Sequence, residues 1–373
     1  MTASHRIENL RFAPKEKNLF FPTVRKRVDQ YFAESGLDKT ANTEMKIKAV
    51  VLLGSYIGAY LLLISQWIPI EWTLLVWGFM GIVKSGVGMS VMHDANHGAF
   101  SKKQKINDWI GQSINLLGGS VYNWKLQHNI LHHTYTNIAS HDEDIKNRAA
   151  LRFSPAGKNK PSQKYQHIYA FFFYSLITLY WVVAKDLVQL IGFSRSGVNK
   201  NTFKENIILF IKMTFDKFFY FLVFLVIPIW VVGMPAGWVV GGFLFMHFLA
   251  GLILTLIFQM AHTVEGTDHP VANADGVIEN DWAIHQMNTT MNFSRDNKLL
   301  SWYLGGLNYQ VEHHLFPKIC HVHYPALSHI VKATAEEFGV PYLENKTFGQ
   351  ALASHLRYLK TVGTMPDWNE AIA

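Results

Sequence analysis

Two close pairs of long apolar runs constrain this chain more than any other feature. The first run extends from about Ala49 to Ile70, and the second from about Trp72 to Met92, with Pro69 and Glu71 at the junction. The third extends from about Phe218 to Val232 and the fourth from about Trp238 to Met260, separated by Gly233, Pro235 and Gly237. A helix of roughly 20 apolar residues spans a bilayer core, and so short a connection forces neighbouring helices to run antiparallel. The pattern predicts an all-α membrane protein with four transmembrane helices in two hairpins. Composition agrees: 49% of the residues are hydrophobic, yet mean hydropathy is only +0.08. The apolar residues are therefore concentrated in blocks between large polar stretches.

Charge sets the expected orientation. Neither short connection contains Lys or Arg, whereas Arg6–Lys48, Lys102–Lys105 and Lys146–Lys217 are rich in them. The positive-inside rule puts those segments, both termini and everything after Met260 in the cytoplasm. The expected division is a cytoplasmic N-terminal segment at 1–45 and a membrane enzyme domain at 46–373. Its cytoplasmic parts would be 93–217 and 261–373. Residues 1–45 are polar and of mixed charge, unlike a signal peptide. One further block, Tyr169–Val183, is apolar enough to tempt a fifth span. Crossing there would separate polar segments that, as argued below, build one site. Its aromatic density favours a helix lying in the interface, with a re-entrant segment as the other solution.

The single cysteine, Cys320, excludes an intramolecular disulfide and any cysteine-based zinc or iron–sulfur site. It reads as a small buried residue. A net charge of +7 suits a positive-inside membrane protein. No basic helix or aromatic-interleaved strand points to nucleic acid.

Eighteen histidines matter because they cluster. Box one, His93-Asp94-Ala95-Asn96-His97, falls where the second span reaches the cytoplasm. Box two is His128-Asn129-Ile130-Leu131-His132-His133, and box three is Gln310-Val311-Glu312-His313-His314. On a helix, i,i+4 spacing puts both imidazoles of box one on one face, able to hold one metal or adjacent metals, and likewise His128 and His132. His133 sits about 100° round the helix, suited to a second metal beside the first. Seven imidazoles exceed what one metal accepts, so the count suggests two. Nitrogen-rich, sulfur-free ligation is compatible with iron, zinc or copper. The boxes lie at the mouth of an apolar bundle, where an alkyl chain could reach them. Abstracting hydrogen from an unactivated methylene needs a high-valent oxidant, which redox-inert zinc cannot provide. Iron is the choice.

At these residues the chain resembles the integral-membrane fatty acid desaturases. MHDANHGAFS (92–101), QHNILHHTYTN (127–137) and GGLNYQVEHHLFP (305–317) look like the family's signatures, and the likeness covers nearly all of the chain after about residue 45. The resemblance implies a four-helix transmembrane bundle under a cytoplasmic di-iron domain, with O2 as co-substrate. It implies that His93, His97, His128, His132, His133, His313 and His314 ligate iron, joined by His262 at the end of the fourth span. Gln310 stands where many members have histidine, a replacement typical of the front-end branch, which inserts a double bond between an existing one and the carboxyl end. A neutral amide oxygen is a weaker ligand than imidazole, leaving Gln310 as a direct, water-mediated or absent ligand. Many eukaryotic front-end members carry a fused cytochrome b5 domain. None is expected here, so electrons would come from a separate carrier such as ferredoxin or cytochrome b5. The substrate would be a fatty acyl chain on CoA, a carrier protein or a membrane lipid.

Other polar residues are weighed on position. His285 is a candidate ligand or supporting group, against a packing role. Asp94, Asn96, Asp142, Asp144 and Glu312 are placed to accept a second imidazole N–H, with a solvated loop as the competing reading for 142–144. His321 and His323 are expected at the surface, because Pro317 should turn the chain away. His247 lies 15 residues before His262, roughly 22 Å along a helix, and reads as a hydrogen-bonded core residue. Lys84, inside the second span, is a functional suspect near the substrate path. Tyr122, Trp124 and Trp302 could line an acyl tunnel or sit as interfacial aromatics. Two alternatives remain beside desaturation. A di-iron hydroxylase would share the ligands, although QVEHH favours desaturation. A metal transporter would place ligands near mid-membrane.

Overall fold

The computed structural model describes residues 10–13, 19–147 and 150–367, most of them helical. Parts of the expected N-terminal segment, 1–9 and 14–18, lie outside the described residues. Helix α1 (Phe20–Ser35) precedes α2 (Thr43–Ile64), which starts where the Asn42 side chain accepts the Met45 N–H. That bond satisfies one of the donors a helix start leaves free. A turn containing Gln66 at φ 58° and Pro69 leads into α3 (Ile70–Asn96), which ends within box one. Next come α4 (Gln104–Gly111) and a helix over residues 121–135, α5, which carries box two. They are followed by α6 (Gln166–Ser175), α7 (Ile177–Ser196), α8 (Phe203–Val231) and α9 (Ala236–His262). The last part holds α10 (Trp282–Thr289), α11 (Lys298–Leu304), α12 (Gln310–Leu315), α13 (Tyr324–Glu337) and α14 (Phe348–Thr364). Two short parallel pairs, Arg11–Phe12 with Val277–Ile278 and Asn292–Phe293 with Glu344–Asn345, stitch distant segments together.

Five helices among the described residues, α2, α3, α7, α8 and α9, are long and apolar enough to cross a membrane, against the four expected. The first span is displaced, 43–64 rather than 49–70, and the largest boundary difference is in α8. Helix α8 begins at Phe203 rather than 218, fixed by a capping box between Thr202 and Glu205. Its first half interleaves Phe203, Ile207, Ile211 and Phe215 with Lys204, Lys212 and Asp216, so it is periodic without being an apolar run. The 29 residues of α8 make a rod of about 43 Å, longer than the roughly 30 Å bilayer core. The extra apolar candidate, α7, overlaps the block 169–183.

The segment 166–196 is tied to distant parts of the chain at Gln166 and at Asp186. The Gln166 amide donates to the carbonyls of Arg152 and Leu359. The Asp186 carbonyl accepts from Asn123, five residues before His128 on α5, and its carboxylate pairs with Lys217 at 2.9 Å. Between these anchors the Thr178 hydroxyl bonds the His247 carbonyl on α9. The centre of the bundle is the α3–α9 contact, where Gly242 leaves no room for a Cβ beside the buried Trp77 indole. With lipid outside, dispersion across such close contacts holds helices together.

Candidate metal centre

All eight proposed histidine ligands are buried and their rings converge where α3, α5, α9 and α12 meet. Two groups form. In the first, His93, His97, His128 and His313 each offer a nitrogen, all within 4.8 Å of one another. In the second, His132, His262 and His314 do the same. His133 sits between them: its ring centroid is 4.6 Å from that of His313 and 4.5 Å from that of His314, and its Nε2 is 3.3 Å from His128 Nε2. Of the two options that i,i+4 spacing leaves, one metal or adjacent metals, box two matches the second. His128 and His132 fall in different groups rather than sharing one. Their rings stack with centroids 5.2 Å apart, because one helical turn separates them by about 5–6 Å along the axis. That is a spacing between neighbouring metals rather than between two ligands of one. The helix widens to i→i+5 bonding over Lys125–His132, as it does over Val87–Met92 just before box one. Such widened turns recur at functional sites.

A fit test lies in the hydrogen bonds these rings do not make. His93 Nδ1, His97 Nε2, His132 Nε2, His133 Nδ1, His262 Nε2, His313 Nε2 and His314 Nε2 are buried without a partner, as is Gln310 Oε1. Buried polar atoms are nearly always satisfied, so lone pairs gathered at one spot fit cations. Burial, and then repulsion among the rings, holds His97, His128, His133, His313 and His314 well below the usual imidazole range. The neutral ring is the form that ligates. His132 differs. Burial pulls it down, but the Asp142 carboxylate outweighs that and raises it.

Asp142 Oδ2 accepts from His132 Nδ1 at 2.9 Å and from the Asn137 N–H at 3.0 Å, so this residue supports an imidazole as its position suggested. Asp144 lies 4.0 Å from the same ring and accepts from Gln127. The remaining supports expected from sequence are corrected. Asp94 approaches His93 only to 3.8 Å; its Oδ2 instead accepts from His321 Nδ1 at 2.7 Å. The Asn96 amide donates to Gly111 O. Glu312 faces away from its neighbour His313 and accepts from Asn292 and Tyr342, both at 2.8 Å. Adjacent helix positions point in different directions, and these three found partners far away in the chain.

His321 and His323 are not at the surface but buried. The chain beyond Pro317 returns beneath box one, where His321 bridges Asp94 and Lys48 and Cys320 Sγ lies 3.0 Å from Asp94. His323 packs on Phe32. His285 is buried but belongs to neither group; its ring lies against Phe12, 5.1 Å between centroids. Trp124 stacks on His128 at 4.5 Å, whereas Tyr122 bonds Asn199 and Trp302 lies under Lys48. Lys84 finds a hydroxyl and an imidazole rather than a carboxylate: its Nζ is 2.9 Å from Tyr220 OH and 3.5 Å from His247 Nε2. The residue that sequence reasoning missed is Gln286, whose Oε1 accepts from His314 Nδ1 at 2.8 Å. No metal-ligand chemistry distinguishes a glutamine in the sequence.

An apolar helical bundle capped by two buried, sulfur-free histidine groups defines a class, the histidine-rich membrane metalloproteins. The family model for fatty acid desaturase matches residues 66–346. The sn-1 linoleoyl-lipid 6-desaturase of Arthrospira platensis is 34% identical over 361 residues, covering 93% of this chain and 94% of that protein. The enzyme of the same name from a Synechocystis species is 33% identical, covering 95% and 98%. An acyl-lipid (8-3)-desaturase of Physcomitrium patens is 34% identical, covering 95% and 74%. The chain belongs to the fatty acid desaturase family; it is an oxidoreductase that desaturates fatty acyl chains.

Proposed function

We propose that this chain inserts a cis double bond into an acyl chain of a membrane lipid, on the carboxyl side of an existing double bond. It would use two irons, O2 and electrons from a separate carrier such as ferredoxin or cytochrome b5. The observation that carries the reading is the pair of histidine groups at one end of an apolar bundle. His93, His97, His128 and His313 would hold one iron, and His132, His262 and His314 the other, with His133 between them. Gln310, a turn before His314 and with its Oε1 unpartnered, would face the irons as a weak oxygen donor. When bound, the iron pair supplies the oxidising power, with O2, to remove two hydrogens from neighbouring methylenes. The protein's part is positional. Burial keeps His97, His128, His133, His313 and His314 neutral, Asp142 supports His132, and the Trp124 indole walls the centre beside His128. The relatives named for linoleoyl-lipid 6-desaturation and (8-3)-desaturation support both the lipid carrier and the front-end position.

Topology follows from parity. Box two precedes α7 and box three follows α9, yet their rings touch, so an even number of crossings separates them. With α8 and α9 as a hairpin, α7 would stay on the histidine side, in keeping with its anchors at Asn123 and Lys217. That leaves four crossings, α2, α3, α8 and α9, with the catalytic side and both termini cytoplasmic by the positive-inside rule.

The test is expression in a host that makes no polyunsaturated fatty acids, fed linoleic acid and supplied with a competent electron donor. Mass spectrometry of derivatised lipids should reveal one new double bond between the carboxyl end and the existing pair. A hydroxylated product, or an unchanged lipid profile with iron-loaded protein, would refute the reading.

A further inference from the structure

The second histidine group is held from behind by a helix that offers it no ligand. Helix α10 opens with Asp281 accepting the N–H groups of Ala283 and Ile284. Residues 282, 286 and 289, spaced i, i+4 and i+7, share one of its faces. Trp282 Nε1 donates to the His133 carbonyl at 3.1 Å. Gln286 Nε2 donates to the same carbonyl at 3.3 Å, while its Oε1 accepts from His314 Nδ1 at 2.8 Å and from the Thr136 hydroxyl at 2.8 Å. One turn on, the Thr289 carbonyl faces His262 Nδ1 at 3.3 Å. A single helix face thus touches box two, box three and the end of α9.

The chemistry of these contacts is directional. Neutral imidazole has one N–H and one lone pair, so a proton fixed on Nδ1 leaves Nε2 free to ligate. Gln286 cannot turn its amide round, because its NH2 is committed to the His133 carbonyl. Its oxygen therefore faces His314 Nδ1 at 2.8 Å, closer to that nitrogen than the Thr136 hydroxyl at 3.3 Å, and holds the proton there. In the first group His93 Nδ1 is unpartnered, and His313 Nδ1 meets the Tyr324 hydroxyl, which donates or accepts equally well.

We propose that Gln286 is a positioning residue for the three-histidine half of the centre, and that its loss loosens one metal but not the other. The inference rests on the two-iron reading above. Removing an outer partner of a ligating histidine typically weakens metal binding by about 10–100-fold. With only three imidazoles in this half, the effect falls on one site.

The experiment uses the full chain purified in detergent and loaded with 57Fe, titrated with an Fe(II) chelator and followed by Mössbauer spectroscopy. Wild type should release its iron in two equal phases. In Gln286→Leu one phase should move to about 10–100-fold lower chelator, with loss of one of two quadrupole doublets and no change in the other. Gln286→Glu, which keeps an acceptor at Nδ1, should restore retention. His285→Phe, on the same helix but facing Phe12, should keep both irons. Iron retention by Gln286→Leu equal to wild type would overturn the proposal, as would equal loss from both phases. If Gln286→Leu does not fold, single-phase release from wild type still overturns it. Wild type holding fewer than two irons would instead overturn the two-iron reading.

Discussion

Lys217 and Asp186 offer a sharp perturbation, because they pin α7, the extra apolar helix, to α8. Their side chains are 9% and 3% exposed, and the ion pair measures 2.9 Å. Lys217 Nζ spends its three N–H groups on Asp186 Oδ2, on the Trp181 carbonyl at 2.7 Å and on the Gly118 carbonyl at 3.2 Å. Asp186 Oδ1 takes a further bond from Trp181 Nε1 at 3.1 Å. Lys217→Met therefore strands a buried carboxylate and removes a donor from two carbonyls. Breaking such a pair from one side costs about 3–5 kcal/mol, whereas replacing both partners with apolar groups is often near neutral. The double variant Lys217→Met/Asp186→Leu should recover most of the loss, so its effect falls well below the sum of the two single ones. Unfolding of the full chain in detergent, run as a double-mutant cycle, measures it. A single-variant cost below about 1 kcal/mol, in the range of an exposed pair, would refute the reasoning, as would strictly additive effects.

Three further outcomes are expected. Asp142→Asn keeps one acceptor for His132 but turns an NH2 toward the Asp144 N–H that Asp142 Oδ1 now receives at 3.0 Å, so iron retention at the second group should fall by about 10–100-fold in a chelator titration. Gly251→Val should destabilise by about 1–3 kcal/mol, seen as a lower unfolding temperature, because even a Cβ there would sit 2.5 Å from the Ser175 carbonyl. His355, buried between Tyr174 and Thr263, is lowered by burial from 6.5 to about 4. The unfolded chain therefore binds that proton first, and stability is lost as pH falls from about 6.5 to about 4. The limit is roughly 3 kcal/mol, and His355→Gln should flatten that part of a melting-temperature profile against pH.

Much of this architecture was legible because membrane spans and histidine boxes are local signals. Apolar runs located α2, α3 and α9, and i,i+4 histidines marked box one and box two. The start of α8 was hidden because Phe203–Lys217 alternates lipid-facing aromatics with charges, so no apolar window begins there. The partition of box two stayed open because helix geometry gives direction, while the group each ring joins depends on His262 and His313 arriving from 130 or more residues away. Long-range pairing also explains the misplaced supports. Asp94 is claimed by His321, 227 residues on, and Glu312 by Tyr342. His285, weighed as a ligand or supporting group against a packing role, packs on Phe12. Gln286 faces the histidines, and only the packing of α10 shows which of two neighbours does so.

The central claim is that two histidine groups hold two irons. Counting iron per folded chain in wild type, His128→Ala and His132→Ala tests it most directly. The account predicts about two irons in wild type and the loss of a different one in each variant, distinguishable by Mössbauer spectroscopy. One iron in active wild-type enzyme, or both irons retained in either variant, would contradict it.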